Sequence, residues 1–147
     1  MKHWLEKALR TQAPTAVALV RLMVGAVFFS EGVQKFLFPV ALGAGRFAKI
    51  GFPAPVWMAT IVGFFEIVCG LLVIVGLLTR LASVPLLVII SVAIATTKIP
   101  MLPREGFWAM AHEARTDWCM FLGCLFLISV GAGGWSLDAF LTEADTR

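Results

Sequence analysis

Charge is scarce in this chain, and the short motifs that announce a cofactor are missing from it. Charged residues make up 14% of 147 residues and hydrophobic ones 60%, with a mean hydropathy of +0.92. Soluble domains run to roughly 45–50% apolar and 25% charged, so the composition excludes an ordinary soluble domain and reads as an integral membrane protein in a lipid bilayer. There is no C-x-x-C pair, haem-attachment motif, Gly-rich dinucleotide fingerprint, P-loop or zinc-ligand array. These absences argue against an autonomous redox enzyme and against a covalently bound cofactor. No basic run interleaved with aromatics is present, so nucleic acid is not an expected partner. Of the three cysteines, Cys119 and Cys124 are five apart, about 140° around a helix, which does not make a redox pair. Together with Cys69 they read as small apolar residues inside the spans.

What is present is a set of long apolar runs. Four segments, approximately 14–38, 54–78, 81–101 and 115–130, come close to the roughly 20 residues that a helix needs to cross the hydrocarbon core. None alternates apolar and polar residues as a half-buried strand would, and backbone groups in lipid must bond within a helix or a closed barrel. The expected fold is all-α: a four-transmembrane-helix antiparallel bundle. Residues 1–13 read as an uncleaved cytoplasmic lead-in, residues 14–138 as the membrane domain, and residues 139–147 as a C-terminal tail. The N-terminal run is interrupted by Arg21 and lacks a small-residue cleavage site, so it is not a signal peptide. Only Thr79 and Arg80 separate the second and third segments, which predicts a helical hairpin. The first loop, "PVALGAGRFAKIGFPAP", is long enough to fold back over the mouth of the bundle. Lys and Arg bias around the first helix places both termini in the cytoplasm of a bacterium, the protein lying in the inner membrane. The net charge of +3 fits contact with anionic head groups.

The few charges inside the runs are the informative ones, because an ionised group at mid-membrane costs roughly 2.5–3.5 kcal/mol on insertion scales and therefore turns inward and pairs. Arg21, Gly25, Gly32 and Lys35 lie on one stripe of the first helix, with Glu31 beside Lys35. Gly63, Glu66 and Gly70 share a stripe of the second. The glycines Gly25, Gly32, Gly63 and Gly70 permit close helix packing. Depth counted from segment midpoints predicts two layers. One is a buried ion pair of Arg21 with Glu66. The other is an outer polar cluster of Glu31, Lys35, Lys98, His112, Glu113, Arg115 and Asp117, the candidate ligand or proton-relay groups. His112, Glu113 and Asp117 lack an established ligand spacing, so no metal is expected.

The runs "RLMVGAVFFSEGVQKF", "FFEIVCGLLVIVGLLTRLAS" and "GAGGWSLD" resemble the DoxX family of small bacterial four-helix membrane proteins. The likeness extends from about Arg21 to Asp138. The family pattern falls on Arg21, Gly25, Gly32 and Lys35, then on Glu66, Gly70, Gly76 and Arg80, and closes on Gly131, Gly133, Ser136, Leu137 and Asp138. The "HEARTD" stretch departs from it, since many members carry an acidic residue followed by Tyr or Asn and Pro. The resemblance implies association with membrane redox assemblies, the family being named for a subunit associated with a thiosulfate:quinone oxidoreductase.

Three functional readings are open. The first is a membrane subunit, possessing at most part of an oxidoreductase activity, that binds a quinone or similar small amphiphile. Lys35, Lys98 or Arg115 would donate to its oxygens, Glu31, Glu66 or Asp117 would relay protons, and Phe107, Trp108 and Trp118 would wall the slot. The second is a non-catalytic scaffold for a partner oxidoreductase subunit. The third is a small proton-coupled transporter working as a homo-oligomer.

Overall fold

The structure, a computed structural model, describes residues 13–145. Nearly all of the expected lead-in, residues 1–12, lies outside them. Helices succeed one another along the chain: α1 (Val17–Leu37), α2 (Ala44–Ile50), α3 (Pro55–Val75) and α4 (Thr79–Ala93). α4 runs on through a π segment (Ile94–Lys98) and a 3-10 turn (Ile99–Met101) into α5 (Leu102–Glu105). α6 (Phe107–Glu113), α7 (Arg115–Val130) and α8 (Leu137–Asp145) complete the order. No strand occurs among the described residues.

Three stretches are long and apolar enough to cross a membrane: Val17–Leu37, Pro55–Val75 and the continuous helical path Thr79–Glu105. α7 has 16 residues, about 24 Å at 1.5 Å per residue. The expected tail, residues 139–147, instead begins inside α8. The outer surface is apolar, as lipid-facing helices require: Leu19, Leu22, Phe64, Leu71, Val88, Leu122 and Phe126 are all exposed. The interior is built from Val24, Phe28, Val73, Leu86, Ile90, Met120 and Leu127. Charged Arg21 and Glu66 are buried with them.

α1 and α3 form the tightest pair because glycines remove the side chains between them. A Cβ on Gly25 would lie 2.7 Å from the Gly70 carbonyl oxygen, and one on Gly32 would lie 2.8 Å from that of Gly63. Backbone therefore meets backbone at two levels one glycine-to-glycine spacing apart. Packing continues from α3 to α4 and from α4 to α7, with a thinner contact of α7 on α1. The four helices thus close a ring in which α1 stands diagonally across from α4.

α3 ends at Val75, short of the expected residue 78, for a local reason. Gly76 takes a left-handed conformation, φ 72°, and the Leu77 N–H bonds to the Leu72 carbonyl while the Gly76 N–H bonds to that of Val73. This is the Schellman termination that glycine favours. α4 then starts at once, its first N–H groups satisfied from far along the chain. The Asp138 carboxylate accepts from the Leu78 N–H at 2.7 Å and the Thr79 N–H at 3.1 Å, and the Asp138 N–H donates to the Gly76 carbonyl at 2.9 Å. Burial pushes the Asp138 carboxyl above its ordinary value, against the lowering effects of those N–H donors and of Arg21. Ser136 caps α8 through the Ala139 N–H, and Arg80 donates to the Val130 carbonyl that ends α7. The "GWSLD" segment is therefore a clasp on the turn between α3 and α4.

The expected Arg21–Glu66 ion pair is not formed, and this corrects the sequence reading. Arg21 donates to the Trp135 carbonyl, and its guanidinium occupies the space where a side chain on Gly76 would be. Its nearby countercharge is Asp138. Glu66 lies further along, where the Gly32 position meets the Glu66 side chain. With Gly25 against Gly70, Arg21 falls level with the end of α3, and Glu66 is nine residues away, about 13 Å of helix.

Candidate functional site

Glu66 has a different partner. Lys35 Nζ lies 2.7 Å from Glu66 Oε2, with the two side chains 11% and 5% exposed. The same nitrogen is 3.8 Å from Glu31 Oε2, one helical turn earlier on α1, and 3.4 Å from the Glu31 carbonyl. Two carboxylates thus share one ammonium, the buried one closely and the half-exposed one loosely.

A second cluster of the same make-up is held by the end of α6 (Glu113), the start of α7 (Asp117) and the π segment (Lys98). Lys98 Nζ lies 3.5 Å from Asp117 Oδ2 and 3.9 Å from Glu113 Oε2. Lys98 is 13% exposed and Asp117 19%, while Glu113 is 56% exposed. The π segment helps to aim this lysine. The Ile99 N–H bonds to the Ile94 carbonyl five residues back, which inserts one residue into the turn and rotates the residues beyond it by about 100°. Thr96 and Thr97 hydroxyls bond back to the Val92 and Ala93 carbonyls at 2.8 and 2.6 Å, satisfying oxygens that the wider turn leaves.

Both clusters reach one cavity of about 480 Å³ between α1, α3, α4 and α7, Glu113 alone of the six groups lying outside its lining. Glu31, Lys35 and Glu66 face it from one side, and Lys98 and Asp117 from the other, while Val27, Phe28, Val62, Ile90 and Met120 supply apolar wall. α2 closes over it with Arg46, Phe47 and Ile50, and Phe47 packs on Phe52 with ring centroids 5.5 Å apart. Arg46 also attracts the Glu66 carboxylate. A volume of this size, mostly apolar with a few convergent polar groups, is the usual form of a small-molecule site.

The remaining predicted residues are placed elsewhere. His112 and Arg115 bond to each other, Arg115 donating to the His112 carbonyl, and both are exposed and outside the cavity. Phe107, Trp108 and Trp118 are exposed to 57%, 82% and 45% and do not wall the slot; such positions suit an interfacial aromatic belt. The aromatic wall is made by Phe28, Phe47 and Phe52 instead. Sequence reasoning missed Phe47 and Arg46 because a loop helix of seven residues is too short to show periodicity, and Phe28 because it is one apolar residue among many in α1. The signal that was there is the length of the first loop. Among the described residues no three His, Cys, Asp or Glu side chains converge as a metal site requires. Cys69 and Cys124 are buried and Cys119 is exposed, all as free thiols.

Comparison with known proteins agrees with this architecture. The DoxX family model matches residues 16–99, which span α1 to the π segment and so include Lys35, Glu66 and Lys98. An uncharacterized membrane protein of Mycobacterium tuberculosis is 50% identical over 146 residues, covering 95% of this chain and 90% of its own length. A Bacillus subtilis protein named "Putative oxidoreductase CatD" is 30% identical over 123 residues, 84% of each chain. An uncharacterized protein of Haemophilus influenzae is 30% identical over 127 residues, 85% of this chain and 90% of its own. No solved structure matches. The matched segment covers more than half of the chain and carries the glycine stripes and the Lys35–Glu66 pair described above: this is a membrane protein of the DoxX family.

Proposed function

We propose that the protein binds a quinone in the cavity between its helices and serves as the membrane subunit of a redox system in the bacterial inner membrane. In this reading α7 is a fourth, short span that completes an antiparallel bundle, with Leu122, Leu125 and Phe126 exposed to lipid, and both termini face the cytoplasm. The single observation that carries the proposal is the cavity itself: apolar walls of a size to take a ring, with two half-buried ammonium groups turned into it. The name of the Bacillus subtilis relative supports the association with an oxidoreductase.

The chemistry asked of the protein is modest. A bound quinone supplies the redox reaction, taking up two electrons from a partner subunit together with two protons. Lys35 or Lys98 orients the ring by donating an N–H bond to one of its oxygens, and charge-assisted bonds of this type are roughly twice as strong as neutral ones. Both protons reach the ring from water by way of Glu31, whose half-exposed carboxylate lies 3.8 Å from Lys35 Nζ. Glu66 holds Lys35 in place by its short contact, and Phe47 and Phe52 add apolar wall beside the ring.

The test is extraction of small molecules from protein purified in native nanodiscs, followed by mass spectrometry. A quinone near one per chain, depleted in Lys98→Met, is the expected result. Protein that retains no quinone, and that shows no saturable uptake when one is added, overturns the proposal.

A further inference from the structure

The two charge clusters are built alike, and the likeness carries information about the ligand. Each consists of a lysine between two carboxylates, one of them well exposed and the other more buried and lining the cavity, which Glu31 lines as well. On one side the order is Glu31, Lys35, Glu66, with side-chain exposures of 47%, 11% and 5%. On the other it is Glu113, Lys98, Asp117, at 56%, 13% and 19%. The exposed carboxylates stand at nearly equal distances from their lysines, 3.8 and 3.9 Å. Nothing in chain connectivity imposes this match. The first cluster comes from α1 and α3, packed together through glycines, and the second from the end of α6, the start of α7 and the π continuation of α4, reached by a local change of helical turn. α1 and α4 stand diagonally across the ring, so the two ammonium groups approach the same cavity from different sides.

A ligand with one polar end would need only one such cluster. The second would then hold a lysine and an aspartate at 13% and 19% exposure, partly stripped of water and with no ligand partner. A single cluster with an apolar far wall is the cheaper arrangement for a fatty acid, a sterol or an alcohol, all of which have one polar end.

We propose, building on the quinone reading above, that the cavity holds its ligand at both ends simultaneously. The ligand is a flat ring bearing two carbonyl oxygens on opposite edges, one accepting from Lys35 and the other from Lys98. Each lysine is held at the cavity wall by the carboxylate beside it, Glu66 at 2.7 Å and Asp117 at 3.5 Å, and Arg46 offsets part of the negative charge near Glu66.

The experiment measures equilibrium binding in nanodiscs of two probes of similar shape, 1,4-naphthoquinone with two opposed carbonyls and 1-tetralone with one. Lysines are removed together with their buried partners, as Lys35→Met/Glu66→Gln and Lys98→Met/Asp117→Asn, so that no buried charge is stranded. Thermal unfolding of each variant confirms that it is folded. Loss of a hydrogen bond to a charged donor costs about tenfold or more in affinity. For the naphthoquinone each pair of substitutions is expected to weaken binding about tenfold, and the two pairs combined about a hundredfold. The tetralone can bind either way round, so either pair alone is expected to cost it about twofold, and only the combination about tenfold. If one cluster matters for both probes and the other for neither, two-ended binding is overturned while the quinone site stands. If wild-type protein does not bind the naphthoquinone saturably, both this inference and the quinone reading are overturned.

Discussion

Lys35→Met is the most informative single perturbation, because it separates a buried ion pair from a rim one on the same cavity. In the folded protein Lys35 Nζ is 2.7 Å from a Glu66 carboxylate that is 5% exposed. At an effective dielectric of 20 the attraction is about 6 kcal/mol. Most of it offsets the cost of holding both charges away from water, so the quantity that matters is the penalty for stranding one of them. Removing one partner of a buried pair costs about 3–5 kcal/mol, and protonation of Glu66 sets the upper limit. Lys98→Met removes a looser contact of 3.5 Å to Asp117 and one of 3.9 Å to a mostly exposed Glu113, and solvent screening brings its worth to about 1 kcal/mol. For a chain of this size a kcal/mol corresponds to about 2–4 °C in melting temperature. A detergent melting assay should therefore show a loss of about 6–20 °C for Lys35→Met and about 2–4 °C for Lys98→Met. The Lys35→Met/Glu66→Gln double variant should recover most of the larger loss, since it leaves no charge behind. Equal small losses in both single variants, or no recovery in the double variant, would refute the assignment of Glu66 to Lys35.

Other substitutions probe the packing and the clasp. Gly70→Ala places a Cβ 2.9 Å from the Phe29 backbone nitrogen and 3.0 Å from the Gly25 carbonyl oxygen, so α1 and α3 must separate; a loss of about 1–3 kcal/mol is expected in a melting assay, and an unchanged melting temperature would contradict the backbone contact. Gly76→Ala forces a side chain into left-handed backbone and into the Arg21 guanidinium, and it should destabilise more than Gly70→Ala does, with reduced yield of folded protein in detergent. Arg21→Met should loosen the clasp, exposing the segment around Trp135 to limited proteolysis while leaving Lys35–Glu66 intact; protection equal to wild type would show that the Trp135 carbonyl does not depend on Arg21. Ser136→Ala removes the cap on α8 and should cost about 1 kcal/mol, read as faster amide exchange confined to residues 137–145.

Much of this architecture is legible in the sequence for one reason: lipid imposes length and hydropathy on spans, and glycines and charges then stand out against an apolar background. The membership of Glu31, Lys35, Lys98 and Asp117 in one polar region comes from depth counting alone. The pairing within it does not. Counting from segment midpoints sets α1 against α3 wrongly by a few residues, enough to hand Glu66 to Arg21. The signal that fixes the register is also in the chain. Gly25 and Gly32 are seven apart, as are Gly63 and Gly70, and laying the two intervals antiparallel with Gly25 on Gly70 sets Glu66 level with Phe29, six residues from Lys35 and eight from Arg21; because side chains lean toward the N-terminus of their own helix, Lys35 and Glu66 lean toward each other. The end of α3 hides for a different reason. Leu77 and Leu78 extend the apolar run, and only the left-handed turn at Gly76, held by Asp138 some sixty residues later, stops the helix before them. The π segment and the α2 cover are likewise tertiary choices that no periodicity announces.

The claim at the centre of the account is that the cavity, and not the lipid-facing surface, is where a quinone binds. A photoreactive azidoquinone crosslinked to the protein in nanodiscs, with the labelled peptides mapped by mass spectrometry, tests it most directly. Labels at Phe28, Phe47, Met58 or Met120, suppressed by unlabelled quinone, are the predicted result. Labels spread over Leu22, Phe64 and Leu122 and unaffected by competitor would contradict it.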